Sequence, residues 1–209
     1  MADTIAAIAT GAQVAAIGII RISGPEALPI VDRLFRPASG KLMSEYEDRK
    51  LVYGRLTDLS GDLLDLCLCT VSHAPHSYTG EDTAELQCHG SPTVLRAALE
   101  ELFHAGARQA LPGEFTKRAF LNGRMELSSA EAVADIIDAE SIECAKNAAA
   151  QLSGAVAVKA DNIYSTLTDI SSHYHAVLDY PDEDIEDFRL ENYKQQLSSA
   201  ADSLRALLG

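Results

Sequence analysis

The chain has no tryptophan, only four cysteines, and 17 basic residues against 31 acidic ones in 209. The difference, 17 − 31, is a formal charge of −14 at pH 7. A chain this poor in Lys and Arg makes a weak stand-alone nucleic-acid binder, because phosphate affinity needs clustered cations. Cys67, Cys69, Cys88 and Cys144 form no C-x-x-C pair. Cys67 and Cys69 alternate along an expected strand and share a face, but two ligands make a poor zinc site. Buried free thiols in a reducing compartment account for them, and no metal centre is expected. The uncharged stretch 4–20 is interrupted by Gly11, Gln13 and Gly18 and follows Asp3 rather than a basic segment. It reads as two adjacent strands, neither signal peptide nor membrane span, and a cytoplasmic protein is expected.

What is present is a core. At 47% hydrophobic residues, the composition excludes disorder, collagen and a disulfide-stapled mini-protein. The length suits one or two domains. Residues 1–120 carry 11 basic and 15 acidic groups, net −4, whereas 121–209 carry 6 and 16, net −10. The asymmetry predicts two regions that meet near residue 120.

The first region reads as strands mixed with helices. Strands are expected at 4–9, 16–23, 51–58, 63–72, 83–89 and 108–110, with a hairpin at Ser60-Gly61. Helices are expected from Gly24-Pro25 to about 34 and from Ser91-Pro92 to about 105, with 35–49 a polar connection. Everything after Phe115 reads as helix. Ser128-x-x-Glu131 fits a capping box, Gly154 breaks the stripe that follows, and Pro181 ends the next helix.

Several segments concentrate chemistry. In Gly80-Glu81-Asp82-Thr83-Ala84-Glu85-Leu86-Gln87-Cys88-His89-Gly90, strand alternation puts Glu85, Gln87 and His89 on one face. A carboxylate and an amide on a rigid strand suit a heterocycle rich in N–H and C=O groups. The exposed polar face of an antiparallel strand accounts for the same residues. Arg21 interrupts the apolar run 16–23 and needs a partner, which is either a ligand carboxylate or an internal acid. The segment Pro112-Gly113-Glu114-Phe115-Thr116-Lys117-Arg118-Ala119-Phe120-Leu121-Asn122-Gly123-Arg124 puts a basic trio, Lys117, Arg118 and Arg124, at the junction of the regions, where pockets are common. A solvated helix explains it as well. The acidic run 179–187 lacks the glycine and spacing of a calcium loop and reads as a solvated connection. Gly40-Lys41 lacks the Ser or Thr and the first Gly of a P-loop, and no N-K-x-D occurs. No catalytic motif is expected within these residues.

Taken together, Asp3-Thr4-Ile5-Ala6-Ala7-Ile8-Ala9-Thr10, Gly18-Ile19-Ile20-Arg21-Ile22-Ser23-Gly24, Tyr78-Thr79-Gly80-Glu81-Asp82, Glu85-Leu86-Gln87-Cys88-His89-Gly90, Pro112-Gly113-Glu114-Phe115, Arg118-Ala119-Phe120-Leu121-Asn122-Gly123-Arg124 and Ala130-Glu131-Ala132 with Asp135-Ile136-Ile137 resemble the MnmE (TrmE) family of tRNA-modification GTPases over the whole chain. The resemblance implies an α+β tetrahydrofolate-binding and dimerisation domain over 1–120. A partial all-α helical domain over 121–209 would stop before the GTPase domain. It implies a homodimer that works with the flavoprotein MnmG (GidA) on the wobble uridine of tRNA, using 5-formyl- or methylene-tetrahydrofolate. GTP, Mg²⁺ and K⁺ would act only through the absent GTPase domain. The folate contacts of the family fall on Arg21, Glu85 and Arg124. The last is usually Lys, and Arg changes the geometry of its donors. The segment 11–16 departs from the family's Pro- and Gly-rich pattern. Two rival readings are a stand-alone folate-dependent aminomethyltransferase-like enzyme and a non-enzymatic dimerisation scaffold.

Overall fold

The computed structural model describes residues 3–11, 13–180 and 188–208. Most of the acidic run 179–187, and Ala12 of the divergent segment, lie outside the described residues. The chain divides into two units, 1–125 and 126–209. The division falls slightly beyond the expected position near 120, because the turn after the helix at 114–121 belongs to the first unit.

The first unit is a mixed seven-stranded sheet in the order β3-β4-β5-β6-β2-β1-β7. The strands are β1 (Ile5–Ile8), β2 (Ile17–Ser23), β3 (Phe35–Pro37), β4 (Val52–Thr57), β5 (Leu63–Ser72), β6 (Thr83–His89) and β7 (Arg108–Gln109). All neighbours are antiparallel except β1 and β7. Strict alternation sets the two faces. Ile20, Ile22, Ala84, Leu86, Cys88, Cys67, Cys69 and Val71 are buried on one of them. Helices α1 (Ala27–Leu34) and α2 (Pro92–His104) cover that face with Ala27, Ile30, Val31, Leu34, Leu95, Ala98 and Leu102. At roughly 1.5–3 kcal/mol for each large apolar side chain, this layer is the main stabilising contribution. Gly18 lets α2 approach, since a Cβ there would lie 2.3 Å from Leu95 Cδ1.

Neither α1 nor α2 covers the opposite face of the sheet, which Phe115 reaches only beside Arg21. That face carries Tyr53, Leu66 and Leu68, all at least a third exposed, alongside Arg21, Glu85, Gln87 and Thr70. The expected strands at 63–72 and 83–89 match the observed ones. The polar connection at 35–49 is not wholly irregular: it begins with β3, which pairs with β4, and contains the 3-10 turn Met43–Glu45. Helix α3 (Glu114–Leu121) follows Gly113, whose φ of 71° turns the chain into the helix.

The second unit consists of α4 (Leu127–Ile137), α5 (Ile142–Leu152), α6 (Ala155–Asp179) and α7 (Leu190–Leu208). The stripe expected as one helix over 128–152 is two. Ser141 caps α5, its side chain accepting from the Cys144 N–H. The capping box at Ser128 does not form, because Glu126 is the N-cap and Ser128 lies inside the first turn. Gly154 does separate α5 from α6, with φ 76°. Ala132, Ala148, Ile163, Ile170 and Ala200 are buried within this unit. Among the described residues, no helix is long and apolar enough to cross a membrane.

Candidate functional site

A cavity of about 380 Å³ opens on the face of the first unit's sheet opposite α1 and α2, where β5 and β6 meet the loop that joins them. Three side chains from successive strands form its floor. Arg21 on β2 pairs in register with Glu85 on β6, and Glu85 pairs with Thr70 on β5. Antiparallel neighbours in register point their side chains the same way, so the row lies across the sheet in one line.

Arg21 finds an internal partner. Its Nε donates to Glu85 Oε1 at 2.8 Å, with both side chains about 30% exposed. The guanidinium carbon also lies 5.3 Å from the Tyr78 ring centre and 5.7 Å from that of Phe115. Two aromatic faces and a carboxylate therefore hold the cation in one orientation. Only one Glu85 oxygen is used by Arg21, so the other is open to accept. Gln87, two residues on, lines the same cavity. His89 does not. It turns away to Asp65, with Nδ1 at 2.7 Å from Oδ1 and its backbone N–H donating to Oδ2. The expected trio of Glu85, Gln87 and His89 is thus a pair.

The basic segment after Pro112 reaches the site indirectly. Arg124 does not line the cavity. Its Nε donates to the Ser77 carbonyl at 3.2 Å and so steadies the loop whose Ser77 and Tyr78 form the wall. Asn122 does the same for the Thr79 carbonyl at 2.7 Å. Arg118 is almost enclosed and binds Glu81, Glu114 and Asp3 together. Glu114 also receives Arg108 and the Leu111 N–H, which hold its carboxyl down at about 2, well below the usual 4.5. Glu81 in turn accepts from Ser23 Oγ at 2.7 Å. This polar network ties α3 to the β2 terminus and the β5–β6 loop. The sequence singles out the segments that hold Arg118, Glu81 and Glu114, but not Arg108 or Asp3, and not that these groups meet.

Residues with no sequence signal also belong to the cavity. Arg49, Thr70 and His76 line it. Asp48 and His73 sit just outside, with His73 Nδ1 2.6 Å from Asp48 Oδ1. That hydrogen bond lowers the Asp48 pKa below 3.8 and raises that of His73 above 6.5. The His73 contribution to stability is complete below 6.5 and is lost as pH rises through the raised value. The Asp48 contribution is complete above 3.8 and is lost as pH falls through the lowered one. Chemical denaturation of the wild type and of Asp48→Asn at several pH values checks this. The stability difference should be greatest between 3.8 and 6.5 and should shrink toward pH 9. A difference independent of pH would contradict it.

Cys67, Cys69 and Cys88 are free and buried, as the sequence suggested, whereas Cys144 on α5 is exposed. Cys67 and Cys69 do share the buried face, but the closest sulfur chemistry is between Cys67 and Cys88 on neighbouring strands, with Asp65 nearby. The Cys67–Cys88 hydrogen bond and burial push the Cys67 thiol well above its usual range, and the Asp65 carboxylate is already taken by His89. These are core thiols. A larger groove of about 820 Å³ runs between α6 and α7, yet its lining is spread along two helices with no ion pair converging on it among the described residues.

Comparison with known proteins agrees with this arrangement. The family described as "GTP-binding protein TrmE N-terminus" matches residues 4–124, and the "MnmE helical domain" matches 127–209. The tRNA modification GTPase MnmE of Symbiobacterium thermophilum is 46% identical over 184 residues, covering 88% of this chain and 40% of that protein. The Clostridioides difficile protein of the same name is 40% identical over 205 residues, covering 98% of this chain and 44% of its own. The chain therefore spans less than half the length of these curated relatives. With both family regions matched in order across nearly all of its residues, the chain belongs to the MnmE family of tRNA modification GTPases.

Proposed function

We propose that this chain binds a tetrahydrofolate derivative in the Arg21–Glu85 cavity. We further propose that it pairs with a second copy as the cofactor-binding part of a longer enzyme. That enzyme would act with MnmG on the wobble uridine of tRNA, and its GTP, Mg²⁺ and K⁺ chemistry would lie in a domain outside these residues.

One observation carries the folate reading. Glu85 lines the cavity of about 380 Å³ from a central strand, with Oε1 bonded to Arg21 and no hydrogen bond to its other oxygen among the described residues. A carboxylate in that state suits the amino-pyrimidine edge of a pterin, which offers adjacent N–H donors. The walls fit too. Tyr78 and Leu51 give apolar area, Gln87 a further donor and acceptor, and Arg21, braced from behind by Phe115, keeps the site from carrying a net negative charge. The bound folate would supply the one-carbon unit, while these residues bind and orient its ring system. Arg124 acts in this reading through the Ser77–Tyr78 wall rather than by touching the ligand. For pairing, the support is the sheet face opposite α1 and α2, where Tyr53, Leu66 and Leu68 stand exposed beside the cavity.

Hydrogen exchange with and without 5-formyltetrahydrofolate tests the folate reading. Slower exchange is expected at 19–22, 69–72 and 76–87, with 126–208 unchanged. Uniform or absent protection would reject it.

A further inference from the structure

We propose that Arg49 forms a second subsite in the same cavity, one that binds an anionic extension of the ligand at the end opposite Arg21. The proposal rests on the folate reading and adds the part of the ligand that the Arg21–Glu85 end does not address.

The two ends of the cavity differ in charge. At one end Arg21 is neutralised by Glu85. At the other, Arg49 has no carboxylate within 4.0 Å among the described residues, in a chain that carries a net −14. Its neighbour Asp48 hydrogen-bonds His73 and attracts Arg49 only at longer range. The one side-chain bond of Arg49 is from Nη2 to the His76 carbonyl at 2.6 Å. That bond aims the guanidinium along the cavity rim and leaves other N–H groups to donate. His76 lines the cavity beside it.

The separation of the two cations selects an elongated ligand. The Arg49 N–H donates to the Val71 carbonyl at 2.8 Å, which seats residue 49 next to β5 on the side away from β6. From Arg21 on β2 the path crosses β6 and β5 before reaching Arg49. Three inter-strand steps of 4.7–4.9 Å put the two backbones about 14 Å apart. A heterocycle against Glu85 therefore needs a long arm to bring an anion to Arg49. Between them lies Thr70, whose Oγ1 is buried with no hydrogen-bond partner and whose backbone pairs in register with Glu85.

The backbone adds an independent sign. Arg49 is the one non-glycine residue with positive φ among the described residues, at 63°. Such a conformation costs energy and tends to persist where a ligand contact benefits from it. Here the N–H is bound to β5 while the side chain lines the cavity. The ligand class follows: a pterin-like ring joined to a carboxylate chain, such as the glutamyl tail of a tetrahydrofolate. Charge-assisted hydrogen bonds from Arg to carboxylate would hold the tail.

Titration of the full chain with three probes tests this: 5-formyltetrahydrofolate bearing one glutamate, the same compound bearing three, and a reduced pterin with no glutamyl tail. The variant is Arg49→Gly, because glycine accepts the left-handed backbone freely, so the fold should be kept or gain stability. In the wild type the triglutamate should bind more tightly than the monoglutamate. In Arg49→Gly its affinity should fall about tenfold and the preference should vanish. Affinity for the tail-less pterin should not change, and the melting temperature should hold or rise. Equal triglutamate affinity in the wild type and Arg49→Gly overturns the subsite while leaving the folate reading intact. Failure of the wild type to bind any of the three overturns both.

Discussion

Replacing Glu85 with Gln should weaken 5-formyltetrahydrofolate binding roughly 100-fold while leaving the fold intact. The substitution keeps shape and volume but puts an amide where both a cation and a ligand need an anion. Arg21 loses its ionised partner at 2.8 Å, and the other oxygen becomes either a neutral acceptor or an N–H that opposes the ligand's own donors. Losing a charge-assisted pair with an unsatisfied group left behind costs about 3 kcal/mol, which is two decades of affinity. Stability changes little, because both side chains are about 30% exposed and solvent screens the pair. Calorimetric titration measures the first effect and thermal melting the second. Unchanged affinity in a folded variant would remove Glu85 from the site.

The second large effect concerns the scaffold. Glu114→Gln should destabilise the first unit by about 3 kcal/mol, the low end for removal of one partner from a buried ion pair. Its carboxylate receives Arg108 and Arg118 together with the Leu111 N–H, and its side chain is only 10% exposed. Without its charge, Arg118, itself 11% exposed, keeps only Glu81 and Asp3 as acidic partners. Arg108 is partly solvated, which limits the loss. The pH dependence follows from the lowered carboxyl. Glu114 titrates at about 2 in the fold against 4.5 ordinarily, so its contribution is complete above 4.5 and is lost as pH falls through 2. Denaturation curves of wild type and variant should differ by a constant amount from pH 5 to 8 and converge in acid. Because the network joins α3 to the β5–β6 loop, ligand affinity should drop too, although no residue in contact with the cavity has changed.

These expectations separate what the sequence could convey from what only the fold reveals. Strict alternation marked 63–72 and 83–89 as strands, and the same alternation put Glu85 and Gln87 on one face. It could not show that His89, at the strand end, would turn to Asp65. Arg21 stood out as a charge in an apolar strand, but its partner, 64 residues away, depends on the β2–β6 register. The aromatic pair around Arg21 comes from Tyr78 and Phe115, and nothing local brings them together. β3 was illegible because three residues ending in Pro37 carry no periodicity, and only the edge of β4 makes them a strand. The break between α4 and α5 was missed because Asp138–Ser141 holds neither Gly nor Pro, and its signal is a lone serine cap. Arg49 sits in a charged stretch that reads as plain connection. Its left-handed backbone and its place at the cavity are tertiary results.

Equilibrium titration of this chain with 5-formyltetrahydrofolate bears most directly on the account. Saturable binding of one ligand per chain, weakened in Glu85→Gln but unaffected by a substitution in the α6–α7 groove such as Gln196→Ala, is the predicted result. A folded chain that gives no saturable binding at millimolar ligand would contradict it.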